Sequence, residues 1–205
     1  MLISDVITDA KYGELQQLAI KNDDDAVISF INLGLLELYK RFNLRTEEAI
    51  ITLDSNTTIY TLDPALPNID MLSDCDLMYI INAYNEAGEL IEINNEDDDL
   101  SILTPTYNTV QIPNPADGTY ISIFYAAGPT RVTDLSDTLK LPPALYEALL
   151  HYVGYRGHGS VDGNINTENN THYMRFEKSC DTAKDFGLVT ADDMRLRPVA
   201  DKGFL

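Results

Sequence analysis

The fold of this chain is decided by residues 23–42, DDDAVISFINLGLLELYKRF. Apolar side chains recur there at alternating spacings of three and four residues, which places them on one face of an α-helix. Three aspartates stand at the amino end, where carboxylates accept hydrogen bonds from free N–H groups. Lys40, Arg41 and Arg45 follow at the carboxyl end, where a helix favours cations. The apolar face consists of Val27, Phe30, Ile31, Gly34, Leu35, Leu38, Tyr39 and Phe42.

Three further helices are predicted by similar patterns. A short helix covers about residues 3–10 and is broken by Tyr12-Gly13. A third begins after Leu141-Pro-Pro, because proline is tolerated in a first helical turn, and we expect it to end around Gly157-His158-Gly159. The last covers about residues 167–186, with Gly187 in a position typical of a helix C-cap. The apolar faces are Leu145, Leu149, Tyr152 and Val153 in the third helix, and Tyr173, Phe176, Cys180 and Ala183 in the last.

Between these helices the pattern changes to short β-type runs separated by turn residues. Asn85-Glu-Ala-Gly88 is typical of a hairpin loop, and several prolines mark the connections. Because no helical pattern alternates with the strands, the sheet is predicted to be antiparallel. The predicted strands are residues 49–53, 57–62, 77–83, 89–93, 109–112 and 119–125.

These patterns together predict an α+β fold. Residues 1–45 and 136–187 form an antiparallel bundle of about four helices, because no helix alone has a face broad enough for stability. Residues 46–135 form an antiparallel β-rich subdomain inserted into that bundle. Residues 188–205 show no clear period and end in an apolar pair, so we expect an extended C-terminal arm that orders only on a neighbour.

The distribution of charge is the most informative feature of the sequence. The formal net charge is −19, and no Lys or Arg lies between Arg45 and Arg131, whereas fifteen acids do. This excess of negative charge argues against a protein that binds nucleic acid by neutralising its phosphates. A solvated surface explains any single acidic run, but a whole acidic subdomain indicates a basic partner, bound cations or a polyanion that passes without sticking. The densest run is Glu96, Asp97, Asp98 and Asp99.

Motifs for catalysis and metal binding are mostly missing from the sequence. It contains no phosphate-binding loop, nucleophile elbow or HExxH motif, and residues 94–99 lack the spaced acids of a calcium-binding EF-hand. His151 and His158 lie seven residues apart and, with Asp162 or His172, could imitate a ligand set. We expect them instead to be solvated or at the edge of the core, because the glycine- and asparagine-rich loop holds geometry poorly. We therefore predict no catalytic, cofactor-binding or metal-binding residues.

The cysteines and the first residues bear on the cellular compartment. Cys75 and Cys180 lie far apart and form no metal-ligand spacing, so we expect two buried or half-buried thiols. No apolar run reaches the ~18 residues needed to span a bilayer. The start of the chain, residues 1–5, carries an acid rather than the cations of a secretory signal. We therefore expect a soluble protein that folds in a cytoplasm, without a membrane partner.

Two helical segments resemble the head-to-tail adaptor proteins of tailed bacteriophages. They are residues 25–42, DAVISFINLGLLELYKRF, and residues 141–156, LPPALYEALLHYVGYR. The likeness extends to the order of helices, β region, second motif and final helix, and it covers most of residues 20–187. The sequence departs from the family at residues 157–159, where the family usually continues with small helix-forming residues.

The resemblance implies a structural, non-enzymatic virion protein, assembled in the host cytoplasm and placed in the neck of the particle. Such proteins form a ring, usually of twelve copies, that docks under the portal protein and offers a platform to a tail or nozzle protein. DNA passes through the ring and is not bound sequence-specifically. We expect the acidic surface of Glu96, Asp97, Asp98 and Asp99 to line the channel or face the tail. The arm that reaches the portal would use Arg195, Arg197, Lys202, Phe204 and Leu205.

Two other classes of function stay open at this point. The β-rich subdomain and its tyrosines also fit a carbohydrate- or receptor-binding module of a phage particle. The acids could in principle serve a glycosidase, although no positioned pair of carboxylates is visible. The sequence contains no Trp, the residue that sugar-binding platforms favour, and this argues against both.

Overall fold

The structure, a computed structural model, describes residues 1–95, 97, 98, 100–162 and 167–189, and no side chain between residues 160 and 170. Within these residues the protein is a mixed α+β protein with four α-helices and antiparallel sheets. The helices are α1 (Ile3–Tyr12), α2 (Asp24–Arg41), α3 (Tyr146–Asp162) and α4 (Thr167–Asp185), with short 3-10 helices at Ala19–Asn22 and Pro143–Leu145. None of the described helices is both long and apolar enough to cross a membrane.

The predicted start of α2 is confirmed in detail. Asp23 is the N-cap, and its carboxylate accepts a hydrogen bond of 3.0 Å from the backbone N–H of Ala26. Asp24 and Asp25 occupy the first turn, and Lys40 and Arg41 the last, so both ends complement the helix dipole. Most of the predicted apolar face is buried, while Phe30 is only partly covered.

The expected end of α3 around residues 157–159 is wrong, because α3 continues to Asp162. Gly154 and Gly157 lie within this helix and serve close packing. A Cβ atom at Gly154 would lie 2.9 Å from Nδ1 of His172 and 3.0 Å from Cβ of Glu14. A Cβ atom at Gly157 would overlap the side chain of Leu15. The glycines therefore let the residues that follow α1 approach the α3 backbone, at the usual cost in helix propensity.

The end of α4 follows the prediction closely. Gly187 has a positive φ of 61°, the left-handed conformation that glycine adopts without strain. Its N–H donates to the carbonyl of Lys184, and the N–H of Leu188 donates to the carbonyl of Ala183, both at 2.9 Å. This is a Schellman motif. Val189 is buried in the helical core, so Leu188 and Val189, predicted to begin the arm, continue the helical unit.

Eight strands form in the described residues. They are β1 (Thr46–Thr52), β2 (Ile59–Thr61), β3 (Ile69–Asp70), β4 (Leu77–Tyr84), β5 (Leu90–Ile91), β6 (Leu103–Thr106), β7 (Thr109–Gln111) and β8 (Tyr120–Ala127). One sheet has the order β3-β1-β8-β4-β5 and the other β2-β7-β6, and all strand pairs are antiparallel. Strand β8 is central because it pairs with β1 over seven residues and with β4 on its other side.

The chain divides into two compact units. The first comprises Met1–Leu44 and Arg131–Leu205, so far as these residues are described, and the second comprises Arg45–Thr130. Residues 131–135, which the sequence assigned to the acidic insertion, thus lie in the helical unit. Each unit has its own buried apolar cluster, and in the β-rich unit residues of both sheets contribute to one cluster. Alternate residues of β8, including Ile121, Ile123 and Tyr125, point into it, as strand geometry requires.

The helical unit is closed by a pair of hydrogen bonds between α2 and the segment that follows the β-rich unit. The side-chain amide of Asn32 donates to the carbonyl of Val132 and its oxygen accepts from the N–H of Val132, both at 2.9 Å. The N-terminus holds the same segment, since the N–H of Ile3 donates to the carbonyl of Asp137 at 3.0 Å. These contacts fix the point at which the chain re-enters the helical core.

We predict that Asn32→Ala lowers the free energy of unfolding by about 1–3 kcal/mol, because it leaves two partly buried backbone groups of Val132 without their partner. Chemical denaturation of the full chain measures the effect. Ser29→Ala is the matched control, since Ser29 lies on the exposed side of the same helix, and it should change stability by less than about 0.5 kcal/mol. Equal effects of the two substitutions would contradict a closing role for Asn32.

Candidate functional site

The β-rich unit carries a large, nearly uncompensated negative charge. Its residues 45–130 contain one cation, Arg45, and fifteen acids, which leaves a net charge of −14. Arg45 itself is engaged, with Nε 2.6 Å from Glu47 and a second nitrogen 3.2 Å from Asp74. The hydrogen bond to Glu47 contributes most to raising the pKa of Arg45 above its ordinary value. The unit therefore offers no free positive charge to a phosphate group.

Hydrogen bonds connect the described residues of the loop that holds the densest acidic run. Asn94 adopts a positive φ of 54°, and its side chain pairs with the backbone N–H and the hydroxyl of Thr104. The buried Ser101 hydroxyl accepts from the N–H of Asn95 and donates to the carbonyl of Glu92. These hydrogen bonds hold the described backbone of the loop in place.

The four predicted acids of this loop differ in their roles. Asp97 is exposed and accessible to a partner. Asp98 is half-buried, and its carboxylate accepts a hydrogen bond of 2.9 Å from the N–H of Leu100, so it also shapes the turn. Glu96 and Asp99 lie outside the described residues. Part of the acidity is therefore structural, which sequence reasoning did not anticipate.

Other acids of the unit also accept hydrogen bonds from turn N–H groups. Asp54 accepts from Asn56 and Asp63 accepts from Ala65, each two residues further on, as in Asx turns. Asp117 accepts from the N–H of Ser55 across the unit, and this bond lowers the pKa of Asp117. These hydrogen bonds hold the three carboxylates in fixed positions.

An apolar cleft of about 430 Å³ opens on the surface of the same unit. At its rim the carboxylate of Glu86 accepts a hydrogen bond of 2.9 Å from the N–H of Tyr120. Tyr120 is the one aromatic side chain among the lining residues, so the cleft suits an aliphatic side chain of a protein better than a stacked sugar ring. The apolar lining includes Leu53, Ile91, Leu100, Ile112, Tyr120 and Ile121.

In the helical unit, Arg41 joins α2 to α4. Its guanidinium makes two hydrogen bonds to the Glu177 carboxylate, of 2.6 and 2.7 Å, and lies over the ring of Phe176 at 4.6 Å. Nε of Arg41 also donates to Glu37, one turn earlier on α2. Such a forked pair is directional as well as attractive. The Arg41 hydrogen bonds lower the pKa of Glu177 from its ordinary value of 4.5 to about 2.

We predict that Glu177→Gln destabilises the protein by at most about 1 kcal/mol near neutral pH, because the pair is partly solvated. A lowered folded-state pKa stabilises fully above 4.5, and this contribution is lost as the pH falls through about 2. The stability difference between wild type and variant, measured by denaturant unfolding, should therefore shrink on acidification from pH 6 toward pH 3. Asp181→Asn, at an exposed position of α4, is the control. A difference independent of pH would refute the pairing.

The three histidines of the chain gather around Glu14, which lies just after α1. Nδ1 of His151 is 3.2 Å from one Glu14 oxygen, and Nδ1 of His172 is 2.7 Å from the other. His158 stacks on His172 with ring centroids 4.6 Å apart, and its Nε2 lies 3.1 Å from the Glu14 carbonyl. Burial lowers the pKa of His172 despite the adjacent carboxylate. The cluster connects the end of α1 with α3 and α4.

Sequence reasoning named these histidines but missed Glu14. No spacing connects Glu14 with His151, because the contact arises only when the segment after α1 packs on α3. The side chain of Asp162, the other proposed member, lies outside the described side chains, as do all five residues proposed for the arm. The cysteines agree with the prediction, since Cys75 is half-buried and Cys180 buried, and both are free.

The fold defines a mixed α+β protein, and comparison with known proteins gives its family. A family model described as SU10 adaptor protein matches residues 2–200, nearly the whole chain. The chain therefore belongs to the SU10 adaptor family, and the predicted kinship with phage head-to-tail adaptors is confirmed. Membership supports an adaptor role in the neck of the virion, with portal and tail proteins as partners. No curated protein matches the chain.

Proposed function

We propose that the protein is non-enzymatic and that about twelve copies of it form a ring. This ring joins the portal to the tail, and DNA passes through its centre. The helical unit acts as a four-helix bundle that carries the β-rich unit as an insertion. The observation that carries the proposal is the charge of the β-rich unit, −14 with its one cation already paired. A cationic wall would bind DNA by releasing counterions, whereas an acidic wall repels it and lets it slide.

The acidic surface has two proposed positions in the ring, the channel wall or the face toward the tail. Exposed Asp97 projects from a loop whose backbone is held by Asn94 and Ser101, so its charge is presented at a fixed place. The apolar cleft beside Tyr120 belongs to the same unit, and we propose that it binds an apolar side chain of a tail protein. A recognition surface of this kind combines a steering charge with a buried anchor.

The helical unit is the proposed contact between neighbouring copies. Large apolar side chains of this unit are exposed in the single chain, among them Tyr12 at 77%, Met174 at 70% and Phe186 at 75%. A closed ring uses two different faces of each subunit, so such side chains can meet a complementary surface on the next copy. The helices themselves are held by their shared core and by the Arg41–Glu177 pair, which makes them a firm platform.

The C-terminal arm is the proposed contact with the portal. Because Val189 belongs to the helical core, the arm is taken as residues 190–205. We predict that a chain lacking residues 190–205 folds with unchanged helical content but does not assemble on purified portal rings. Native mass spectrometry of the mixture measures assembly, and about twelve added subunits are expected with the full chain. Circular dichroism of the truncated chain, compared with that of the full chain, checks that it folds. Full assembly without the arm would overturn this assignment.

A second prediction tests the repulsion of DNA. We expect Asp70→Lys, Glu92→Lys and Asp97→Lys together to slow the release of DNA from otherwise assembled particles, because three exposed acids of the β-rich unit become cations. The delay should decrease as salt is raised. Reversal of Asp25, Asp181 and Asp185, exposed acids of the helical unit, is the matched control and should have little effect. Equal delays in both variants would exclude a special role of the β-rich unit.

A further inference from the structure

We propose that Glu14, His151 and His172 bind a divalent transition metal ion of the Zn²⁺ type. This site lies within the helical unit, and the inference does not depend on the adaptor function. Each residue offers one ligand atom, and the three atoms lie within 4.8 Å of one another. Two imidazole nitrogens and one carboxylate oxygen are a ligand set that Zn²⁺ accepts, with an open fourth position for water.

The distances already approach those of a loaded site. Ligand atoms in tetrahedral coordination at Zn–N of about 2.0–2.1 Å stand roughly 3.3 Å apart. Nδ1 of His151 is 3.2 Å and Nδ1 of His172 is 2.7 Å from the Glu14 carboxylate. The two nitrogens contact different oxygens of this carboxylate, and the three ligand atoms lie within 4.8 Å of one another, so an ion would draw the side chains together.

The orientation of the rings also favours an ion between them. His151 is only 9% exposed, and neither its Nδ1 nor that of His172 makes a hydrogen bond to any described residue, although both lie against the Glu14 carboxylate. Buried nitrogens that approach a carboxylate without hydrogen-bond geometry are poorly satisfied. An ion at their common focus would satisfy both nitrogens and the carboxylate together.

Residues next to His151 and His172 contact the two imidazole rings and orient them. Glu147 lies one turn before His151 on α3, and its carboxylate is 3.4 Å from Nε2 of that ring. This contact favours the proton on Nε2 and leaves the Nδ1 lone pair for a metal, as in carboxylate–histidine–metal sites. His158 stacks on His172 and fixes the plane of the second ligand ring.

The surrounding structure lets the ligand residues pack closely together and leaves the site open to solvent on one side. Gly154 has no side chain where a Cβ atom would press on Nδ1 of His172 and on Glu14, so the ligands meet against the bare backbone of α3. A cleft of about 310 Å³, lined in part by Glu14, His158 and His172, opens to one side and has room for a water ligand. Arg175 also lines this cleft.

The experiment uses the full chain without a histidine tag, stripped of metal and kept near pH 7.5. Titration with Co²⁺ should produce the visible absorption bands of a tetrahedral ion, and Zn²⁺ should displace it. Equilibrium dialysis should give one Zn²⁺ per chain, with a rise in the thermal unfolding midpoint. The absence of both Co²⁺ bands and Zn²⁺ uptake in the wild type would overturn the proposal without reference to any variant.

Variants then locate the site. Glu147→Gln should weaken Zn²⁺ binding about 10-fold through the outer shell, and Glu14→Gln or His172→Gln should weaken it further. Asp181→Asn, at an exposed position of α4 outside the cluster, is the control and should bind Zn²⁺ with unchanged affinity and stoichiometry. Circular dichroism of the metal-free variants checks their folding, and Glu14→Gln preserves size at that position. Unchanged affinity in folded Glu14→Gln and His172→Gln proteins would show that the ion binds elsewhere.

Discussion

The helical unit depends on one constraint, which is that two stretches of chain separated by the whole β-rich unit must meet in a single core. The apolar face of α2 is covered by α3, and α3 in turn packs on α4. Neither part can bury its apolar surface alone, and burial is the main source of stability. The paired hydrogen bonds of Asn32 with Val132 mark the place where the returning chain joins the first helices.

Positive and negative charges are distributed unequally between the two units. The helical unit holds thirteen of the fourteen cations of the chain and uses some of them internally, as in the Arg41–Glu177 pair. The β-rich unit keeps a cation only where Glu47 and Asp74 neutralise it. Several acids of that unit are fixed by N–H groups of turns, so the negative surface keeps a defined shape as well as a sign.

The sequence predicted the features that depend on local order. The 3.6-residue period and the charged ends identified α2, and Gly187 identified the end of α4. Strand β3, with two residues, and strand β6, with Pro105 inside it, lack the run length or composition that identifies a strand. Features set by tertiary contact were missed. Gly157 was interpreted as a helix breaker, although it permits packing on Leu15, and Glu14 gave no sign that it would face His151.

The central position of β8 also determines the order in which the two units can form during protein synthesis. The sheet of the β-rich unit lacks its middle strand until β8 has been synthesised, but all its residues precede α3 and α4 in the chain. All residues of the β-rich unit are therefore available before α3 is synthesised, while Val27, Ile31 and Leu35 of α2 still lack the helices that cover them. A nascent chain that stops after β8 would contain the complete β-rich unit and an α2 helix whose apolar face is exposed. Chaperones recognise exposed apolar surface of this kind.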